Sequence, residues 1–109
     1  MDSYTYIADL PGLLPEAPED SIVSRTFFAG DGLKAILFRF AAGQELSEHT
    51  SSQTAILHFL EGEADVTLGD DALDVRAEGW VYMPPRLPHS IRARTPLAML
   101  LVMFEREGG

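Results

Sequence analysis

The side chains best equipped for chemistry in this sequence are three histidines, His49, His58 and His89. A neutral imidazole ligates transition metals and exchanges a proton near neutral pH. The sequence holds no cysteine, which removes thiolate metal sites and disulfides from consideration. That absence fits a reducing, cytoplasmic setting. No serine nucleophile elbow, phosphate loop, dinucleotide fingerprint or zinc-finger spacing is present. Chemistry therefore depends on which imidazoles the fold brings together.

The elements that must position them are strands. Residues 1–21 read as an N-terminal arm, broken by Pro11, Pro15 and Pro18, in which Tyr4, Tyr6 and Ala8 alternate as a short edge strand. Such an arm docks on the body of the protein or on a neighbouring subunit. Residues 22–109 read as one β-domain. Ile22 to Phe28 is rich in β-formers, and Ala29-Gly30-Asp31-Gly32 is a turn. Leu33 to Phe40 and Ala55 to Leu60 follow as strands, closed by Gly43 and by Glu61-Gly62. Glu63 to Leu68 alternates apolar and polar residues, turns at Gly69-Asp70-Asp71, and returns through Leu73, Val75 and Ala77. Trp80 to Met83, His89 to Ala93 and Leu97 to Phe104 complete the set. Short strands at regular spacing without helical patterns predict an all-β sandwich or closed barrel. The strands 33–40 and 97–104 are apolar on nearly every residue, so a second buried surface is expected outside the barrel. Its simplest source is a homodimer interface.

The stretch GQELSEHTSSQTAILHFLEG, from Gly43 to Gly62, resembles the first motif of the cupin superfamily. Gly43, His49 and Gly62 fall on motif positions, while Ser51 and Ala55 stand where the family carries a second histidine and a glutamate. The stretch EGWVYMPPRLPHSIRA, from Glu78 to Ala93, looks like the second motif. Pro84 and His89 match it; Glu78 and Arg86 occupy its two glycine positions. The resemblance runs from Leu33 to Phe104 in order and without large insertions. It implies a single double-stranded β-helix of the small, RmlC-like, jelly-roll type.

In such a barrel alternate residues of a strand face the same side, so the resemblance implies that His49 and His89 share one cavity. Two of the four familiar ligands are missing. If residues 49–55 stay extended, Gln53 shares the parity of His49 and is the remaining candidate for a third ligand. A metal set of His49, His89 and Gln53 would suit zinc, nickel, iron or manganese. The same histidines also serve as hydrogen-bonding groups of a polar pocket, with Leu57, Phe59, Met83 and Ile91 as its apolar walls. Parity places His58 on the outer side. Trp80, Tyr82, Phe38, Phe40, Met99 and Met103 read as packing residues.

Two functions stay open: binding of a small molecule in the barrel, with or without a weakly held divalent metal, and a metal-dependent enzyme of the dioxygenase, isomerase or decarboxylase type that the resemblance allows. The formal net charge of −9, from 17 acidic and 8 basic residues, repels phosphate backbones and anionic lipid. Nucleic acid and membrane are therefore not expected partners. Met1-Asp2-Ser3-Tyr4 lacks the positive charge and apolar run of a secretory signal.

Overall fold

The computed structural model describes residues 3–105. Nine strands follow a short 3-10 turn at Pro11–Leu13: β1 (Ile22–Gly30), β2 (Leu33–Phe40), β3 (Glu45–His49), β4 (Thr54–Glu61), β5 (Glu63–Leu68), β6 (Asp71–Arg76), β7 (Trp80–Met83), β8 (His89–Ala93) and β9 (Leu97–Phe104). They form two antiparallel sheets, ordered β1-β2-β9-β4-β7 and β3-β8-β5-β6. The chain passes back and forth between them, which is the winding of a jelly roll. Strand bounds follow the sequence closely, because alternation and turn residues agree at most boundaries. β3 is the exception: its five residues, ELSEH, carry one apolar side chain and offer no period to read.

The core lies between the sheets. Phe40, Leu57, Phe59, Val66, Ile91, Leu97 and Met99 are its fully buried large residues, joined by Ala55, Ala64, Val75, Val81, Met83 and Ala93. Each large apolar side chain removed from water here contributes about 1.5–3 kcal/mol.

The corners between sheets share a backbone device. Gly43 (φ 86°) leads from β2 into β3, and Gly62 (φ 90°) leads from β4 into β5. Glu78 (φ 75°) and Arg86 (φ 67°) hold the same left-handed conformation at the corners on either side of β7. Those two residues stand where the second cupin-like motif carries glycine. Both corners take a left-handed geometry although neither residue is the glycine best suited to it.

The arm does not add a strand. Among residues 3–21 no strand forms, and Tyr4 and Tyr6 are exposed. Instead the arm is drawn across the outer face of the five-stranded sheet by two arginines. Arg39 donates to the carbonyls of Leu14 (2.9 Å) and Pro11 (2.8 Å) and to Glu61 (3.1 Å), and Arg25 donates to the carbonyl of Leu13 (3.1 Å). Side-chain donors thus satisfy carbonyls that a ladder would otherwise have taken. Leu37, which pairs with Arg25 across β1–β2, has 0% of its surface exposed. Ala35 and Ala98 on the same outer face are buried too. The second apolar surface expected from the sequence therefore exists, and the protein's own arm, rather than a partner, covers the part beside β1 and β2.

Candidate functional site

His49 ends β3 and His89 begins β8, and the two are cross-strand neighbours. Their ring centroids lie 4.1 Å apart with the planes tilted by 60°. A bulge makes this possible. Leu46 pairs with Ile91 and His49 with His89, so three steps on β3 match two on β8. Strict alternation from inward-facing Leu46 would have turned Glu48 inward and His49 out. The extra residue reverses that parity and sets His49 on the side of His89.

Both rings are tied down in the same way. Nδ1 of His49 lies 2.8 Å from the carbonyl oxygen of Ser47, and Nδ1 of His89 lies 2.9 Å from that of Leu87. A carbonyl only accepts, so each Nδ1 carries the proton and donates. In the neutral ring the lone pair then lies on Nε2. This is the arrangement that fixes tautomer and ring orientation in metal-ligating histidines.

The pair is asymmetric. His89 is 7% exposed, whereas His49 lies open to solvent at the barrel rim. Half-buried leucines surround the buried member: Leu68 pairs with His89 across β5–β8, Leu87 precedes it, and Leu46 lies one step deeper on β3. The site is thus two imidazoles on neighbouring strands, with half-buried leucines at adjacent positions.

The other expected site residues are placed differently. The chain bends at Ser52 and Gln53 instead of running extended from His49 to Ala55. His49 consequently belongs to one sheet and Ala55 to the other, and the shared parity that linked Gln53 to His49 is lost. Gln53 is half-buried, and its backbone N–H donates to Ser51 Oγ (3.1 Å). Leu57, Phe59, Met83 and Ile91 do face inward, but they pack into the core, and no pocket opens against them among the described residues. A barrel this small is filled by its own side chains. His58 lies on the outer face, between Trp80 and Leu100, as its parity required. Among the described residues no three His, Asp or Glu side chains gather within reach of one metal ion. The carbonyls of Ser47 and Leu87 were not legible beforehand, because backbone acceptors leave no mark in residue types.

The family model described as the cupin domain matches residues 36–103. This chain belongs to the cupin family. Solved structures agree with that membership. A cupin superfamily protein from Desulfitobacterium hafniense is 27% identical, with a TM-score of 0.80 and 84% of each chain covered. A conserved protein of unknown function from Streptococcus pyogenes is also 27% identical, with a TM-score of 0.85 over 98% of this cupin and 93% of that chain. Salicylate 1,2-dioxygenase from Pseudoaminobacter salicylatoxidans is 16% identical, with a TM-score of 0.73. This cupin covers only 30% of that enzyme, and the likeness is one of fold. No curated protein gives a significant match.

Proposed function

We propose that this cupin binds a small molecule at the His49–His89 end of its barrel, with a divalent transition metal held weakly between the imidazoles and the ligand. The observation that carries this reading is the pairing of two rings whose Nδ1 protons are both committed to backbone carbonyls. Neutral imidazoles so held present Nε2 lone pairs and nothing else to an incoming group. They suit a metal of the zinc or nickel kind, or a hydroxyl or N–H donor.

The donor set fits such a metal as half a site. His49 and His89 would supply two ligands, and among the described residues no carboxylate joins them to complete a set supplied wholly by protein. Water or the bound molecule would fill the remaining positions, and affinity would be correspondingly modest. Once held, the metal would provide a Lewis-acidic point for an anionic or carbonyl oxygen. The protein's own residues do the rest: Ser47 and Leu87 fix the rings, and Leu46, Leu68 and Leu87 offer apolar contact to the ligand's body. No reaction is carried over from the dioxygenase, since a likeness of fold does not transfer chemistry.

The test uses protein free of any histidine tag, titrated calorimetrically with zinc and nickel, then screened for small-molecule stabilisation with and without metal. Weak uptake of one metal per chain is expected, abolished in both His49→Ala and His89→Ala while each variant keeps its β-sheet circular dichroism. Uptake indifferent to both substitutions would refute the reading. So would small-molecule binding that survives loss of both imidazoles.

A further inference from the structure

The turn that leads into His89 holds a residue in a conformation its side chain disfavours. Pro84-Pro85-Arg86-Leu87-Pro88 joins β7 to β8, and the N–H of Leu87 donates to the carbonyl of Pro84 (3.4 Å). Three prolines restrict the backbone on both sides of Arg86-Leu87. Leu87 gives its carbonyl to His89 Nδ1 (2.9 Å) and packs its side chain against the core. Arg86 lies in the left-handed region (φ 67°), and its N–H donates to the carbonyl of Ser51 (2.6 Å), two residues after His49. One hydrogen bond thus fastens the turn entering His89 to the loop leaving His49, and Arg86 stands at that joint. Strain of this kind, kept on a rigid turn beside a candidate site, points to a use for the side chain.

Charge says what that use is. Arg86 is exposed and forms no ion pair among the described residues, in a chain with 17 acidic groups. The other described arginines are engaged. Arg25 and Arg39 hold the arm, Arg76 lies 3.7 Å from Asp74, and Arg94 sits among three carboxylates. Arg92 has Glu45 and Asp65 as its cross-strand neighbours. The guanidinium of Arg86 is left for an anion from outside. Its surroundings limit that anion's charge. Glu48 adjoins His49, and Asp70 follows Gly69, whose N–H donates to the carbonyl of Pro88 (2.8 Å). One cation so flanked balances a single negative charge, and a phosphate dianion would meet repulsion from both sides.

Given a ligand at the His49–His89 end, as proposed above, we infer that Arg86 makes the site selective for a small monocarboxylate with an apolar body. The planar fork of the guanidinium matches the two carboxylate oxygens, a fit that a neutral amide lacks. Half-buried Leu46, Leu68 and Leu87 receive the body of the molecule. Because the turn is already fixed by its prolines and by the bond to Ser51, the backbone that carries the arginine is ordered before the ligand arrives.

The test compares benzoate, its neutral isostere benzamide, and phenyl phosphate by ligand-observed NMR on tag-free protein, with and without zinc. Benzoate should bind about tenfold tighter than benzamide, and tighter than phenyl phosphate. Arg86→Gly and Arg86→Gln should lower benzoate to the level of benzamide, with benzamide binding and zinc uptake unchanged. Glycine adopts the left-handed backbone freely, so a loss in Arg86→Gly reports the missing guanidinium and not a misfolded turn. Arg86→Lys should keep part of the preference, and Arg92→Gln on the outer face all of it. Equal binding of benzoate and benzamide to the wild type overturns the inference, as does a preference that survives Arg86→Gly. Tighter, Arg86-dependent binding of phenyl phosphate overturns it in favour of a phosphate monoester. Benzoate binding lost in His49→Ala and His89→Ala but indifferent to Arg86→Gly would leave the imidazole site standing without this selectivity. An Arg86-dependent preference indifferent to both histidine substitutions would refute the imidazole site alone.

Discussion

Across the four-stranded sheet, the outward residues at one level read Glu45, Arg92, Asp65 and Asp74 from edge to edge. The corresponding walk across the five-stranded sheet, from β2 to β7, meets Leu37, Leu100, His58 and Trp80. Both sheets turn the same kind of apolar inner face to a common core, so the contrast lies wholly outside. On the charged side Arg94 lies near Glu63, Asp65 and Asp74 on two neighbouring strands, all with substantial exposure to water. Such pairs stabilise little, because water competes for every partner. On the apolar side Arg39 is mostly buried and fastens the arm through backbone carbonyls. Similar arginines therefore have different weight: one sits in a solvated network, the other closes a second layer of the structure.

The largest effect should come from reversing the character of each face. Leu37→Asp places a carboxylate beneath the arm and is expected to cost about 3–5 kcal/mol in urea unfolding. The opposite exchange, Asp65→Leu on the charged face, should stay within about 1 kcal/mol. Comparable losses from the two would abolish the distinction drawn between the faces.

Next in size is the comparison of the arginines. Arg39→Ala should destabilise by about 2–3 kcal/mol, since it removes charge-assisted bonds to the carbonyls of Leu14 and Pro11 that fasten the arm. It should also release residues 3–17 to limited proteolysis. Arg94→Ala should cost less than about 1 kcal/mol, and that loss should vanish in high salt. Equal salt dependence for the two would show that the arm is held by surface electrostatics alone.

The smallest effect concerns the corners that join the faces. Glu78→Gly and Arg86→Gly relieve a side chain from the left-handed region and should each raise stability by up to about 1 kcal/mol in thermal unfolding. A loss in either variant would mean that the side chain stabilises its corner through contacts that outweigh the strain.

Much of the architecture was legible beforehand. Glu63–Leu68, Trp80–Met83 and Leu97–Phe104 could be bounded to the residue, the first from its period-two alternation and the other two as unbroken apolar runs ended by proline or charged residues. The outward position of His58 followed from its parity with Leu57 and Phe59. The short β3 was not legible, having a single leucine among polar residues. Nor was the break in parity between His49 and Gln53, since parity counting presumes an unbroken strand and the chain bends at Ser52 and Gln53. The apolar walls expected around a pocket proved to be core, because sequence reports that a residue faces inward and not how much space remains beside it.

By itself, then, the amino-acid order determined the class of fold, the strand rhythm and which two histidines were the candidates for a site. All of these rest on local periodicity and on residue types at turns, which are properties of short stretches. The meeting of His49 with His89 was decided by a bulge, and the cover over Leu37 by hydrogen bonds from Arg25 and Arg39 to an arm distant in the chain. A bulge depends on how one strand is paired with another, and a backbone carbonyl looks alike at every position. Neither exists for the chain until the strands have found their partners.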